Sequence, residues 1–211
     1  MEQIEYGLPF NKNKLHYITA DMDKDEILER CIYNMLLCIG ADPDRPGLKN
    51  TPNRVRRMYE ELFEGMKYTN EEIAERHNVC FDVDTDDLVV VDNIPIFSTC
   101  EHHTLPMVNM TVSVGYIPKG KVVGLSKVAR IAEIVSRRLQ LQERLGAEIA
   151  DVLEKVIDTD DIIVVIKGEH TCMTMRGVKK VGTLTRTATL RGIFNTDHQL
   201  RQEFYALIGG E

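Results

Sequence analysis

The sequence has no apolar run approaching the roughly 20 residues that cross a bilayer. Its first residues, MEQIEYGLPFNKNK, lack the hydrophobic core of a secretory signal. The chain therefore reads as cytoplasmic, with no membrane partner expected. It also lacks a basic excess: 26 lysines and arginines face 33 aspartates and glutamates, a net charge of −7. General nucleic-acid binding needs the opposite balance, although a local basic pocket for a small anion can exist on an acidic protein. There is no internal repeat and no low-complexity segment. Nor is there an even set of cysteines to suggest a disulfide framework, since the count is five. Cys31 and Cys38, seven apart in a helical pattern, are expected together on one buried face. Cys80 has no evident partner, whereas Cys100 and Cys172 each lie close to histidine.

What is present suits an ordinary globular protein. The 211 residues are 43% hydrophobic and 28% charged, enough for one domain with a helical arm and a core that needs no disulfides. Asp23, with Glu26 three residues on, has the form of a capping box before a helix that starts at Lys24 and stops near Gly40. Thr51-Pro52 reads as N-cap and first helical residue of a second helix, running to about Gly65. The chain changes character near Asp87. LVVVDNIPIFSTC reads as one or two strands, and MVNMTVSVGYIP as a half-buried strand ending in a turn at Pro118-Lys119-Gly120. Residues 126–157 are helical, with nothing in their periodicity to say whether they form one helix or two. IIVVIKGEHTCM and VGTLTRTATLRGIF read as strands, and 198–208 as a terminal helix. This order predicts an α+β protein, an antiparallel sheet with helices on one face.

Two short clusters carry the chemistry, Cys100-Glu101-His102-His103 and His170-Thr171-Cys172. Thiolate and imidazole together suit zinc. In a turn, residues three apart can face one centre, so Cys100 and His103 could chelate together. In a strand, residues two apart share a face, so His170 and Cys172 are expected to point the same way. Two ligands from one cluster and one from the other would leave the fourth position for water, which such an ion activates near neutral pH. The spare histidines could then carry protons. Four protein ligands would instead close the site and make it structural.

A second feature is GLSKVAR. Ser126 is expected as the N-cap of a helix, with Lys127 and Arg130 in or near its first turn. Cations there oppose the helix dipole, but with the backbone N–H groups and the hydroxyl they form a receptor for phosphate. Arg176, four residues after Cys172, adds a cation near the metal cluster; Lys179 and Lys180 read as surface residues. Gln142-Glu143 reads as an exposed helical face, and nothing local marks Glu143 as a reader of a base.

Taken together, STCEHH, GLSKVARI, QLQERL, EHTCMTMRGV and TPNRV closely resemble the zinc-dependent GTP cyclohydrolase I family, in that family's order and spacing over roughly residues 24–208. The resemblance implies a tunnelling fold: an antiparallel four-stranded sheet with two antiparallel helices on one face, preceded by an N-terminal helical arm. Residues 1–23, which the resemblance does not reach and which carry little periodicity, are read as a flexible N-terminal extension, followed by an arm over 24–70 and a catalytic domain over 71–211. The resemblance splits the 126–157 segment between Arg138 and Leu141. It implies a homodecamer of two pentameric rings with active sites between subunits and one zinc per subunit. Cys100, His103 and Cys172 match the family's zinc ligands, and His102 and His170 its catalytic histidines. Ser126, Lys127, Arg130 and Arg176 match its triphosphate contacts, with Arg54 supplied by a neighbouring subunit. Gln142 and Glu143 match its guanine-recognition pair. The implied reaction opens the guanine imidazole ring of GTP at C8 and yields 7,8-dihydroneopterin triphosphate and formate. Arg186 and Ala188 stand where an apolar or hydroxyl residue is expected, which points to altered strand or interface packing. Two other readings are a different tunnelling-fold enzyme, such as a nitrile reductase that uses cysteine and a nicotinamide cofactor, and a zinc-stabilised nucleotide-binding assembly protein without turnover.

Overall fold

The structure is a computed structural model that describes residues 10–209. The chain divides into two compact units, Met1–Glu61 and Leu62–Glu211. In the first, helix α1 spans Lys24–Cys38. The Asp23 carboxylate accepts from the backbone N–H of Asp25 and Glu26, both at 2.9 Å, and so satisfies two of the free donors of the first turn. Only half of the expected capping box forms, because the Glu26 carboxylate turns to Arg30 at 2.8 Å. Ile32, Leu36 and Leu37 are buried, while Cys31 and Cys38 are exposed. This corrects the expectation that both cysteines face the core. They lie beside the buried stripe, and with Met35 and Ile39 they make an exposed apolar one.

Of the expected N-terminal extension, residues 1–9 lie outside the described residues. Residues 10–23 run along α1: His16 N–H donates to Asn34 Oδ1 at 2.8 Å, Asn34 Nδ2 donates to His16 O at 2.7 Å, and the His16 ring stacks on Tyr33 at 3.8 Å. Helix α2 spans Thr51–Leu62. Arg54 N–H donates to Asn50 O at 3.1 Å, so Thr51, the expected cap, is already helical and the helix starts one residue early. Arg56 ties α2 to α1 through Glu29 at 2.8 Å and Asp25 at 3.1 Å.

The second unit opens with helix α3, Asn70–His77. No periodicity announced it, yet its start carries a full capping box: Thr69 Oγ1 accepts from Glu72 N–H at 3.2 Å and the Glu72 carboxylate accepts from Thr69 N–H at 2.8 Å. Strands β1 (Cys80–Asp82), β2 (Val89–Cys100), β3 (Leu105–Tyr116) and β4 (Lys121–Val123) follow, then α4 (Leu125–Ser136), β5 (Leu139–Gln140) and α5 (Gln142–Ile157). The unit ends with β6 (Ile162–His170), the single turn α6 (Thr171–Thr174), β7 (Leu184–Leu190) and α7 (His198–Ile208). The main sheet has the order β5-β2-β3-β6-β7. Its four long strands are antiparallel, as expected; the two-residue β5 adds a parallel edge beside the end of β2. Strands β1 and β4 form a small separate sheet. Register shifts fall at Asn93 and Asn109, both left-handed at φ near 54° and 51°. Asparagine tolerates that conformation, and such bulges curl a sheet.

Helices α4 and α5 lie on one face of the sheet. Val128, Ile131, Val135, Leu145, Ile149 and Leu153 from the helices pack against Met107, Val112 and Val114 of β3 and Ile162, Val164 and Ile166 of β6, all essentially inaccessible to water. Burial of this kind contributes roughly 1.5–3 kcal/mol per large aliphatic side chain. On the other face α7 lays Phe204 over Ile163. Gly115 makes room for it, since a Cβ there would come within 2.6 Å of the Phe204 ring. Arg186 and Ala188 are exposed on β7.

The helical segment does break, and at the place the resemblance implied. Neither glycine nor proline causes it. Arg138 donates to Gly65 O at 3.1 Å, Tyr68 O at 2.8 Å, Asn70 Oδ1 at 2.8 Å and Glu148 Oε2 at 2.7 Å. The last carbonyls of α4 find donors as well: Ser136 O accepts from Ser98 Oγ at 2.7 Å, and Val135 O from Gln140 Nε2 at 3.2 Å.

Candidate metal and active site

Strand β2 delivers Cys100, 5% exposed, at its last position. A tight turn follows, closed by Thr104 N–H donating to Cys100 O at 2.9 Å. Thr104 sits at φ 51°, costly for a β-branched residue and typical of a turn that must hold side chains in place. The turn brings His103 back toward Cys100. The third donor, Cys172, arrives differently from the expectation. His170 ends β6, but Cys172 lies on the one-turn helix α6, so strand alternation does not aim it. The turn is held by Thr171 Oγ1, which donates to Pro106 O at 2.6 Å. The donor atoms of Cys100, His103 and Cys172 lie within 4.8 Å of one another.

The donor set fits a metal. Burial, the facing Cys100 sulfur and a hydrogen bond with it push the Cys172 thiol above its ordinary value. A bound dication would reverse that shift by stabilising the Cys172 thiolate. The three residues thus form a metal-type site with three protein donors, the pattern of an open site.

Of the two other clustered histidines, His102 touches this group and His170 caps the turn that carries Cys172. His102 Nδ1 is 3.8 Å from Cys100 Sγ, and its ring stands edge-on to that of His103 at 6.3 Å. His170 Nε2 is 3.0 Å from Gln142 Oε1. Burial holds the His170 imidazole below its ordinary value, partly offset by the Glu143 carboxylate. Glu143 is exposed, while Gln142 is 1% exposed. Arg176 Nη1 donates to His103 Nε2 at 2.7 Å.

A model of the family described as GTP cyclohydrolase I matches residues 28–209. The chain belongs to the GTP cyclohydrolase I family. A relative from Clostridium botulinum (strain Langeland), called GTP cyclohydrolase 1, is 56% identical over 176 residues, 81% of this chain and 90% of its own. The GTP cyclohydrolase 1 of Clostridium acetobutylicum is 55% identical over 185 residues, 85% and 95% of the two chains. That of Ruminiclostridium cellulolyticum is 50% identical over 186 residues, again 85% and 95%. Among solved structures, the archaeosine synthase QueF-Like in the apo form is similar at 18% identity with a TM-score of 0.42, over 50% of this chain and 94% of that one. That likeness is too slight to bear on fold or function. Membership of the GTP cyclohydrolase I family decides against the nitrile-reductase alternative.

Of the phosphate-binding candidates, Arg176 touches the metal donor His103, whereas Ser126, Lys127 and Arg130 lie on α4. The N-cap of α4 is Gly124 and makes no side-chain capping bond, so the expectation for Ser126 is corrected: it is the second helical residue. Ser126 and Arg130 are exposed and Lys127 is half-buried. The far end of α4 is bonded to Ser98, two residues before Cys100, so Ser126 lies about 15 Å along the helix from that contact at 1.5 Å per residue. Among the described residues no hydrogen bond or ion pair joins Ser126, Lys127 or Arg130 to the metal group. Arg54 lies on α2 in the first unit, exposed.

Sequence reasoning missed the network behind the metal loop. Arg144 donates to Glu101 Oε2 and Leu139 O, each at 2.6 Å, and to Gln140 Oε1 at 3.1 Å, fastening the residue after Cys100 to the start of α5. These contacts join residues up to 43 positions apart, and no local pattern carries them.

Proposed function

We propose that the chain hydrolyses the imidazole ring of GTP at C8 and rebuilds it as 7,8-dihydroneopterin triphosphate, releasing formate. The observation that carries this reading is the convergence of Cys100, His103 and Cys172 in a chain of the GTP cyclohydrolase I family. On this reading Cys100 and Cys172 hold one zinc per subunit as thiolates, and His103 holds it by a ring nitrogen. Bound there, zinc supplies a water ionised at neutral pH and Lewis-acid polarisation. His102 and His170 move protons, one of them delivering a proton to the ring nitrogen as the C8–N bond breaks. His102 beside the Cys100 sulfur, and His170 at the head of the turn that carries Cys172, support this role. Glu143, exposed at the start of α5, accepts from the N–H edge of the purine.

Ser126, Lys127, Arg130 and Arg176 grip the triphosphate, together with Arg54 of a neighbouring subunit. The active form is a cytoplasmic homodecamer of two pentameric rings. A helix length separates Ser126 and Lys127 from the Cys100 end of α4, which supports a site shared between subunits. The test is turnover: zinc-loaded oligomer incubated with GTP yields formate and a product that fluoresces as a pterin after oxidation. Neither product appearing would overturn the proposal.

A further inference from the structure

Gln142 is buried at the first position of α5, and the NH2 end of its side-chain amide is fully engaged within the protein. Nε2 lies 3.2 Å from Ile166 O on β6, 3.1 Å from Thr185 O on β7 and 3.3 Å from Thr187 Oγ1. Carbonyl oxygens only accept, so this end of the amide must be the NH2 group; the flipped amide would set oxygen against two carbonyl oxygens. The orientation therefore comes from the sheet backbone. It leaves Oε1 facing His170 Nε2 at 3.0 Å. An amide oxygen only accepts, so the proton of that bond belongs to His170 Nε2, and Nδ1 is the nitrogen left free.

We propose that Gln142 is a positioning residue: it locks His170 in the Nε2–H tautomer and leaves Nδ1 to exchange the proton in the reaction. It acts through His170 and does not read guanine, which falls to Glu143 alone. The inference rests on the function proposed above. The geometry behind it does not, since backbone carbonyls of β6 and β7 set the amide whatever the substrate is.

Two measurements test it. In wild-type protein labelled with 15N-histidine, solid-state nitrogen spectra, with His170 assigned by its loss in His170→Asn, are expected to show protonated Nε2 and bare Nδ1. A protonated Nδ1 in neutral His170 would overturn the inference with no variant of Gln142 involved. In steady-state kinetics of the zinc-loaded oligomer, Gln142→Leu is expected to lower kcat by roughly 100-fold, the scale of one positioned proton carrier, with KM for GTP essentially unchanged. A raised KM at intact kcat would mean that Gln142 reads the base, and would overturn the inference. If Gln142→Leu fails to assemble, the tautomer measurement on wild-type protein decides alone. Absence of pterin product from wild-type protein is a separate failure: it overturns the proposed function.

Discussion

A sulfur atom at position 172 matters because of what faces it. Cys172 faces the Cys100 sulfur, which with burial disfavours its thiolate, and a cation held there would favour it. Serine keeps the size and loses the thiolate, since a hydroxyl does not ionise near neutral pH. Cys172→Ser is therefore expected to reduce bound zinc from about one per chain to near zero and to abolish turnover. Metal analysis and the GTP assay check both, and full activity in the variant would remove Cys172 from the ligand set. At this scale the sequence was legible in part. Spacing in a turn allows Cys100 and His103 to chelate together, and the family resemblance selects His103 over His102. Strand alternation puts His170 and Cys172 on one face, but the structure carries Cys172 on a one-turn helix instead. The hold of Gln142 on His170 could not be read, because its partners lie 24 to 45 residues away on other strands.

The joints between elements carry polar contacts that periodicity does not register. Arg138 is the clearest: with its side chain only 11% exposed it answers two carbonyls, an amide and Glu148 across the gap between α4 and α5. Arg138→Ala would strand those acceptors and leave Glu148, 21% exposed, without this partner. The expected loss is about 3–5 kcal/mol, the range for breaking a buried ion pair on one side, measured by urea unfolding. The long apolar stripes of α4 and α5 were legible; their separation was not, because hydrogen bonds to distant residues make the break.

A second element-scale prediction concerns α3. Burial, and then the charges of Lys127, Arg130 and Arg76, hold the His77 imidazole below its ordinary 6.5, and its Nδ1 has no hydrogen-bond partner among the described residues. The unfolded chain takes up that proton near pH 6.5 and the folded chain only at lower pH. Stability is therefore lost as pH falls through 6.5, until His77 itself protonates. His77→Gln is expected to lose less stability than wild type on going from about pH 7.5 to 5.5. Equal losses in the two proteins would refute this.

For the molecule as a whole, the α+β plan and the antiparallel sheet with its helical face follow from the order of patterned segments. The exposed stripe of Cys31, Met35, Cys38 and Ile39 does not. A heptad-like spacing shows that residues share a face, never which face the fold covers. The sequence also says little about what one chain can do alone, and the direction of α4 bears on that. With cysteine donors near one end and Ser126 and Lys127, two of the proposed triphosphate contacts, at the other, two chains crippled at opposite ends could rescue each other. Cys172→Ser and Lys127→Ala oligomers, each inactive, are expected to regain activity when unfolded and reassembled together. With random placement around a ring, about a quarter of the shared sites would draw an intact sulfur from one chain and an intact lysine from its neighbour. Loss of function in this protein would then be recessive within a single particle.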